Sequence, residues 1–227
     1  MNKNRSRRRD VQRTMRNVLK LLGAAVVITL ALSESLLAAQ QATRKKEPVV
    51  GGPCEGCAAV FEGIPPKLGW FSRIAPEGEP GKPMRIVGVV RDAMNWPVPG
   101  IIVYAYQTNA AGIYPKGTTP HGALRGWAMT DEQGNYGFDT IRPGGYPDTA
   151  IPQHVHMHVI EPGRVTYVID DIMFTDDRRL GPEARQRLTG RGGNGIVTPA
   201  LEEKILVVTR DIYLGKNIPG YPPRPPK

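Results

Sequence analysis

Cysteine is scarce in this chain of 227 residues, which contains only Cys54 and Cys57. A Cys-x-x-Cys pair can belong to a redox motif or to one half of a zinc site. No second pair completes a four-cysteine zinc site, and no strand–helix pattern surrounds the pair as a thioredoxin-like fold requires. Because the chain carries the export pattern described next, we expect a local structural disulfide without a chemical role.

A long apolar segment is also missing near the N-terminus. The apolar run Leu21–Leu32 is shorter than the ~20 residues that cross a bilayer. A basic segment precedes it and small residues follow around Ala38-Ala39, which is the layout of an export signal. We therefore expect residues 1–39 to direct export to the periplasm or the extracellular space. Cleavage after Ala39 would leave no stable membrane span, and an uncleaved anchor is the alternative.

Acidic residues are outnumbered, with 21 Asp and Glu against 30 Lys and Arg, for a formal charge of +9. Eight of the basic residues but only two of the acidic ones lie within residues 1–39, so the rest of the chain has a net charge of +3. A basic surface that binds nucleic acid should run through the folded domain. We therefore expect no nucleic-acid partner.

Helical patterns are rare, and short apolar stretches separated by turn residues predict an all-β fold, an antiparallel β-sandwich. Residues 40–83 are expected to form an extended N-terminal arm carrying Cys54 and Cys57. Residues 84–217 form the predicted sandwich, and residues 218–227 a proline-rich tail. The predicted strands are Met84–Asp92, Ile101–Gln107, Arg125–Thr130, Asn135–Asp139, His154–Ile160, Thr166–Phe174 and Lys204–Leu214.

One segment, Pro182–Leu188, has a helical pattern, with a proline suited to the first helical turn. The following stretch Gly190–Gly195 is rich in glycine but lacks a P-loop lysine. We expect it to form a flexible loop.

Two tyrosines and a His-x-His pair are the most informative residues: Tyr114, Tyr146, His154 and His156. Phenolate and imidazole form a hard-to-borderline ligand set that suits ferric iron better than zinc or copper(I). The two-residue period of a strand places His154, His156 and His158 on one face. An alternating-histidine strand can instead form a polar surface that faces solvent.

Part of the pattern is shared with non-catalytic sandwiches. Val98-Pro99-Gly100, Thr130–Tyr136 and Pro143-Gly144-Gly145-Tyr146 would suit a carboxypeptidase-regulatory-like or transthyretin-like binding module. This secreted binding module, without catalysis, is the alternative hypothesis.

The residues that separate the two hypotheses are Gln107–Tyr114, Ile141–Pro147, Pro152–His156 and Ile172–Phe174. Together they closely resemble the intradiol ring-cleavage dioxygenases, the family of the protocatechuate and catechol dioxygenases. The resemblance covers about residues 84–215. It implies a β-sandwich that holds one non-haem Fe(III) and cleaves a catechol between its hydroxyl-bearing carbons, with both atoms of O₂ entering a muconate-type product.

Carried over to this sequence, the resemblance implies equatorial ligands at Tyr114 and His154 and axial ligands at Tyr146 and His156. Tyr146 would be the tyrosinate that a chelating catechol displaces, and it would help to take up a substrate proton. Two phenolates and one hydroxide balance the charge of Fe(III), which lowers the cost of burying the ion. The sequence is also compatible with a homo-oligomeric assembly of this chain.

The chain departs from the family at two pocket positions. Ile151 stands where an arginine is usual, three residues before the first ligand histidine, and Asp171 stands where a glutamine is usual. Losing a cation and gaining an acid favours a neutral catechol, and it leaves open an iron protein that does not cleave rings. Tyr106 and Ile113 are further candidates for the substrate pocket.

Four other residues near the predicted site have less specific expectations. Arg125 or Arg164 could replace the missing cation. We expect His158 to be a residue behind the ligands or at the surface. His121 could line the mouth of the site, but we expect it to be a solvated loop histidine.

Overall fold

The computed structural model describes residues 47–52 and 56–223. The predicted export signal, Cys54 and residues 224–227 lie outside the described residues. Cys57 is disulfide-bonded, and its expected partner is Cys54. Within the described part of the chain, no helix is both long and apolar enough to span a membrane.

Twelve strands and two short helices make up the described elements. A 3₁₀ helix covers Cys57–Phe61, and one α-helix, α1, covers Pro182–Gln186. The strands are β1 (Val49–Val50), β2 (Phe71–Arg73), β3 (Pro83–Arg91), β4 (Ile102–Tyr106), β5 (Arg125–Met129), β6 (Asn135–Ile141), β7 (His154–Glu161), β8 (Val165–Phe174), β9 (Ile196–Val197), β10 (Ala200–Glu202), β11 (Ile205–Thr209) and β12 (Ile212–Tyr213).

The strands form two six-stranded sheets. Sheet I has the order β1-β8-β7-β4-β5, with β9 also paired to β8. Sheet II has the order β10-β11-β3-β6-β2, with β12 also paired to β3. The predicted all-β sandwich is therefore confirmed, but both sheets are mixed.

The direction of pairing differs between the centre and the periphery of the sheets. The pairs β3–β6, β4–β5, β4–β7 and β7–β8 are antiparallel, as predicted. The added strands β1, β2, β9 and β12 pair in parallel, as does β11 with β3. Parallel pairs join segments that are distant in sequence, so turn residues do not reveal them.

The main core lies between the two sheets, where alternate residues of each strand face inward. Sheet I contributes Val103, Val155 and Met157, and sheet II contributes Ile86 and Phe138, all with no exposed surface. This interior removes apolar area from water and leaves the outer face of sheet I free to carry other chemistry.

The outer face of sheet I is partly covered by the segment predicted as an arm. The backbone carbonyl of Val60 accepts a hydrogen bond from Trp127 Nε1 at 2.8 Å, and Val60 packs with Ile102 and Tyr104 in a second apolar cluster. Farther along, Phe71 in β2 lies beside β6 in sheet II. Residues 40–83 thus include strands and core contacts, and the boundary predicted at residue 84 falls beside β3.

The predicted Lys204–Leu214 strand is two strands in the structure. β11 ends at Thr209 and β12 begins at Ile212, and Arg210 is buried between them. The Arg210 guanidinium donates to the backbone carbonyls of Asp170, Arg191 and Gly192. The Arg210 N–H still donates to the Val87 carbonyl of β3, whereas the Val89 N–H donates to the side-chain Oδ1 of Asp211 at 2.9 Å. A side-chain acceptor therefore bonds to β3 between β11 and β12.

Candidate metal centre

Two loops bring Tyr114 and Tyr146 together through direct contact between their backbones. In the first loop, Asn109 Oδ1 accepts hydrogen bonds from the backbone N–H groups of Ala111 and Ile113 at 3.0 and 3.1 Å. The N–H of Gly144, in the second loop, donates to the Asn109 carbonyl at 2.8 Å. A Cβ on Gly112 would lie 2.0 Å from the Gly145 carbonyl oxygen. Only glycine permits the loops to approach this closely.

The two ligand histidines come from the start of β7. A register irregularity between Val155 and Met157 interrupts the pairing with β8 at this end of the strand. His154 is 7% exposed, and its Nδ1 donates to the Pro152 carbonyl oxygen at 2.7 Å. His156 Nδ1 lies 3.1 Å from Asp171 Oδ1. In both rings Nε2 is therefore the nitrogen left to bind a metal.

Four potential donor atoms converge at one point of the outer face of sheet I. The two tyrosine hydroxyl oxygens are 2.7 Å apart. His156 Nε2 is 2.9 Å from the Tyr114 oxygen, 3.1 Å from His154 Nε2 and 3.4 Å from the Tyr146 oxygen. The His154 Nε2 to Tyr146 oxygen distance is 3.3 Å. Atoms separated by about 3 Å share a centre roughly 2 Å from each, which is a metal–ligand bond length.

The protonation of these groups fits a trivalent cation. Burial, and then the hydrogen bond with Tyr146, raise the pKa of the Tyr114 hydroxyl far above its usual value of 10.0. Without a cation Tyr114 remains a phenol, and a trivalent ion makes phenolate the favoured form of a bound tyrosine. Burial lowers the pKa of His154, with His156 adding to the effect, so its imidazole stays neutral. The residues present therefore fit ferric iron.

A cavity of about 700 Å³ opens beside the four donors. It is lined by Tyr106, Tyr114, Pro120, His121, Tyr146, His156, His158, Val168, Ile169, Asp170, Asp171, Met173, Arg187, Leu188, Thr189 and Arg191. Tyr106 and Asp171, both predicted pocket residues, are in this lining. Its volume is in the range of small-molecule sites.

Ile113 and Ile151, the other two predicted pocket residues, lie outside this lining. Ile113 is 56% exposed and Ile151 is 38% exposed. The Asn109 turn holds the backbone of Ile113 at the outer part of its loop, and Ile151 belongs to an exposed connection whose N–H bonds to Thr149 Oγ1. Of the predicted site residues, the structure brings together Tyr106, Tyr114, Tyr146, His154, His156 and Asp171.

Two further histidines lie in the same cavity, and one expectation about them is wrong. His121 is a buried residue, 2% exposed, and not a solvated one. Its Nδ1 lies 2.8 Å from the Tyr104 hydroxyl, and its ring stacks on Tyr106 at 3.8 Å. Tyr106 also stacks on His156 at 4.5 Å, so His121, Tyr106 and His156 form a column of rings. Sequence position alone could not show that this loop folds onto the sheet.

His158 is also buried, at 2% exposure, and it lies in the cavity lining. Burial, followed by the neighbouring His121, lowers its pKa to about 3. The imidazole of His158, two residues beyond the candidate ligand His156, is therefore neutral. This burial excludes the surface position that was one of the two expectations for His158.

The charges around the cavity differ from those expected. Arg125 and Arg164 lie outside the cavity lining. Arg125 donates to the Ala59 carbonyl, and Arg164 donates to the Glu161 carboxylate. Arg187 and Arg191 line the cavity instead. They flank the glycine-rich segment, whose Gly190 N–H donates to Asp170 Oδ2 at 2.7 Å. That hydrogen bond ties the expected flexible loop to β8, and its role could not be inferred from composition.

Asp171 is bound to His156 and does not stand free in the pocket. Burial alone would raise the pKa of its carboxyl, but His156 outweighs burial and the net direction is down. The acid is therefore a carboxylate, and its hydrogen-bond capacity is directed toward a metal-ligand candidate. This removes one of the two reasons for expecting a neutral substrate.

A family model described as Dioxygenase matches residues 71–188, more than half of the chain. The chain belongs to the intradiol ring-cleavage dioxygenase family. This match favours the dioxygenase prediction over the non-catalytic binding module. The match begins at Phe71, the first residue of β2, and ends just after helix α1.

Relatives with the same family assignment are similar over part of their length. The chain is 32% identical to the protocatechuate 3,4-dioxygenase beta chain of Burkholderia cepacia over 136 residues, covering 50% of this chain and 58% of that protein. It is 31% identical to catechol 1,2-dioxygenase of Candida albicans over 100 residues, covering 36% of this chain and 33% of that protein. The chain thus spans about half, or less, of the relatives' lengths.

Solved structures of dioxygenases have the same fold. The dioxygenase domain of a carbohydrate-binding fusion protein from Streptomyces sp. SirexAA-E matches with a TM-score of 0.54 and 21% identity, covering 74% of this chain and 98% of that one. The 3-chlorocatechol 1,2-dioxygenase of Rhodococcus opacus 1CP matches with a TM-score of 0.56 and 18% identity, covering 79% and 76%. At these identities the likeness concerns the fold.

Proposed function

We propose that this chain is a non-haem Fe(III) dioxygenase that cleaves a catechol between its two hydroxyl-bearing carbons, inserting both atoms of O₂. The observation that carries the proposal is the convergence of two tyrosine oxygens and two histidine nitrogens at separations of 2.7–3.4 Å. A solvent-facing polar strand has no reason to gather four such donors against one another. Family membership supports the same reaction class.

Tyr114, Tyr146, His154 and His156 would hold the ion. Bound there, ferric iron would supply a Lewis acid and a template that withdraws electron density from a chelated catechol, making the ring the site of O₂ attack. His154 and His156 would bind through Nε2, because their Nδ1 atoms are engaged by Pro152 and Asp171. The two phenolates supply negative charge that offsets the cation.

Tyr146 is the donor best placed to leave and to accept a proton. Its loop continues into residues 147–150, which are exposed, whereas Tyr114 is held by the loop that Asn109 closes. The Tyr146 carbonyl accepts hydrogen bonds from two exposed side chains, those of Thr149 and Arg179. A departing Tyr146 phenolate is a base that can take a proton from a catechol hydroxyl, since phenols and catechols have similar proton affinities.

The cavity lining indicates which substituents a catechol substrate could carry. Arg187 and Arg191 belong to this lining, so they can contact substituents on the ring. The sequence favoured a neutral ring because Ile151 replaces a usual arginine and Asp171 adds an acid to the pocket. In the structure Asp171 Oδ1 is paired with His156, and two arginines belong to the lining. Charge therefore no longer favours a neutral ring, and kcat/KM for catechol against a carboxylated catechol measures the preference directly.

Iron reconstitution followed by oxygen uptake tests the proposed reaction. The loaded protein should be red-brown from tyrosinate-to-iron charge transfer, and it should consume one O₂ per catechol to give a product 32 mass units heavier than the substrate. Tyr146→Phe should weaken or shift the colour, whereas Tyr213→Phe, on sheet II, should not. A colourless protein that stays metal-free would contradict the iron site, and a coloured protein that oxidises no catechol would contradict ring cleavage.

We also propose that the chain is exported. Residues 1–39 have the charge and hydropathy order of an export signal, and the disulfide bond of Cys57 suits an oxidising compartment. Mass spectrometry of the mature protein should give an N-terminus at residue 40, and cell fractionation should place it outside the cytoplasm. A cytoplasmic protein that retains Met1 or Asn2 would contradict this proposal.

A further inference from the structure

The two histidines of the candidate metal centre are held by partners of different charge. His154 Nδ1 donates to a neutral backbone carbonyl, that of Pro152, at 2.7 Å. His156 Nδ1 meets the carboxylate of Asp171 at 3.1 Å. A carbonyl orients an imidazole, whereas a carboxylate both orients it and increases its electron donation. The two histidines therefore differ in the charge of the group that binds their Nδ1 atoms.

Among the described residues, Asp171 forms no hydrogen bond or salt bridge with a lysine or arginine, although the buried Arg210 interacts with it electrostatically. Its one salt-bridge contact is with His156, and its side chain is 24% exposed in the wall of the cavity. The neighbouring Asp170 carboxylate is differently engaged, by the Gly190 N–H and the Thr189 hydroxyl at 2.7 and 3.4 Å. A partly buried carboxylate without a lysine or arginine requires compensation from another positive group. The metal position lies directly across the His156 ring.

We propose that Asp171 is a positioning residue that acts on the metal centre through His156. Its carboxylate accepts the His156 Nδ1 hydrogen, which fixes the tautomer whose Nε2 lone pair points at the Tyr114 and Tyr146 oxygens. Its negative charge lies one ring away from the ion and favours the trivalent state over the divalent one. This inference rests on the proposed iron site and adds to it a residue that differs from the glutamine usual in the family.

Two substitutions separate the geometric effect from the charge effect. Asp171→Ala removes both the acceptor and the charge, so affinity for Fe(III) should fall roughly 10- to 100-fold. Asp171→Asn keeps an acceptor oxygen but removes the charge, so it should recover part of that affinity. In both variants the tyrosinate charge-transfer band should move to longer wavelength, because an ion with less donation accepts an electron more easily.

The matched control is Asp139→Asn on sheet II, which makes the same substitution in a carboxylate that is paired with Arg85 and lies outside the cavity lining. Its iron affinity and band position should stay close to those of the wild type. Affinity is measured by competition with an iron chelator of known strength, and circular dichroism with thermal unfolding reports whether each variant folds. The proposal would be overturned if ferric affinity and band position in Asp171→Asn and Asp171→Ala were equal to those of Asp139→Asn.

These readouts require no substrate, so the inference and the proposed reaction can fail separately. A protein whose iron affinity and colour depend on Asp171 but which oxidises no catechol confirms the positioning role and contradicts ring cleavage. A wild-type protein that takes up no ferric iron contradicts both. Ring cleavage with unchanged iron affinity in all three variants contradicts the positioning role alone.

Discussion

The two faces of strand β7 have different tasks although they alternate along eight residues. Val155, Met157 and Val159 face the interior between the sheets and are completely buried. His154 and His156 face outward and meet the tyrosines of two loops. The inner face needs apolar volume, which several residue types can supply. The outer face needs particular atoms at particular positions, so its tolerance is much smaller.

The different tasks predict different consequences of substitution. Removing an inner side chain should lower stability and leave the metal centre of the folded fraction intact. Removing an outer ligand should abolish metal binding and leave the apo-protein folded. Each prediction below tests whether the two faces are in fact independent.

The largest effect should come from His154→Ala on the outer face. Removing a ligand should lower iron affinity and O₂ uptake by more than ~100-fold, which exceeds the cost of disturbing a ligand's hydrogen-bond partner. Thermal unfolding of the metal-free variant should resemble that of the metal-free wild type. Coloured, active His154→Ala protein would show that the histidine belongs to a polar surface instead.

Met157→Ala on the inner face should give the converse result. Met157 is completely buried, so its truncation should lower the free energy of unfolding by about 2–5 kcal/mol. Urea denaturation measures this loss. Iron bound per folded molecule should match the wild type, and a loss of iron from folded protein would show that the faces are coupled.

His158 provides an intermediate case, because it faces outward but is buried. Its pKa of about 3 in the folded state is below the value of 6.5 in the unfolded chain. The unfolded state therefore binds more protons between these values, and stability should fall by up to a few kcal/mol as the pH decreases from about 6.5 toward 3. His158→Gln should reduce the slope of unfolding free energy against pH, and an unchanged slope would contradict the assignment.

The smallest effect should come from Tyr104→Phe, in the apolar part of the outer face. The substitution removes the hydroxyl that lies 2.8 Å from His121 Nδ1. Leaving that buried nitrogen without its partner should cost about 1–2 kcal/mol of stability. Iron affinity should be unchanged when it is measured by chelator competition. A loss of iron affinity would show that the metal centre also depends on the stacked column formed by His121, Tyr106 and His156.

Much of the site could be predicted because its main signals are local. The His-x-His spacing places both imidazoles on one face of any strand, and each tyrosine follows a turn rich in glycine. The strands from Pro83 to Phe174 were predicted within two residues at each end. Helix α1 begins at the predicted Pro182 and ends two residues earlier than expected.

The misplaced residues all depend on contacts between distant parts of the chain. His121 is buried because its loop folds onto Tyr104 and Tyr106, which a loop sequence does not reveal. Ile113, a predicted pocket residue, is 56% exposed and outside the cavity lining, in a loop whose backbone is held by Asn109. Arg210 belongs to a predicted strand and instead holds the loop that contributes Arg191 to the cavity.

The amino-acid sequence by itself determined the kind of fold and the donor set, because strand period, turn residues and ligand chemistry are properties of short segments. Tertiary structure decided which groups surround those donors. The pairing of β7 with β8 brings Asp171 to His156, and the segment before β3 covers half of the outer face. Those neighbours are set by sheet register and loop packing, which depend on the whole chain at once.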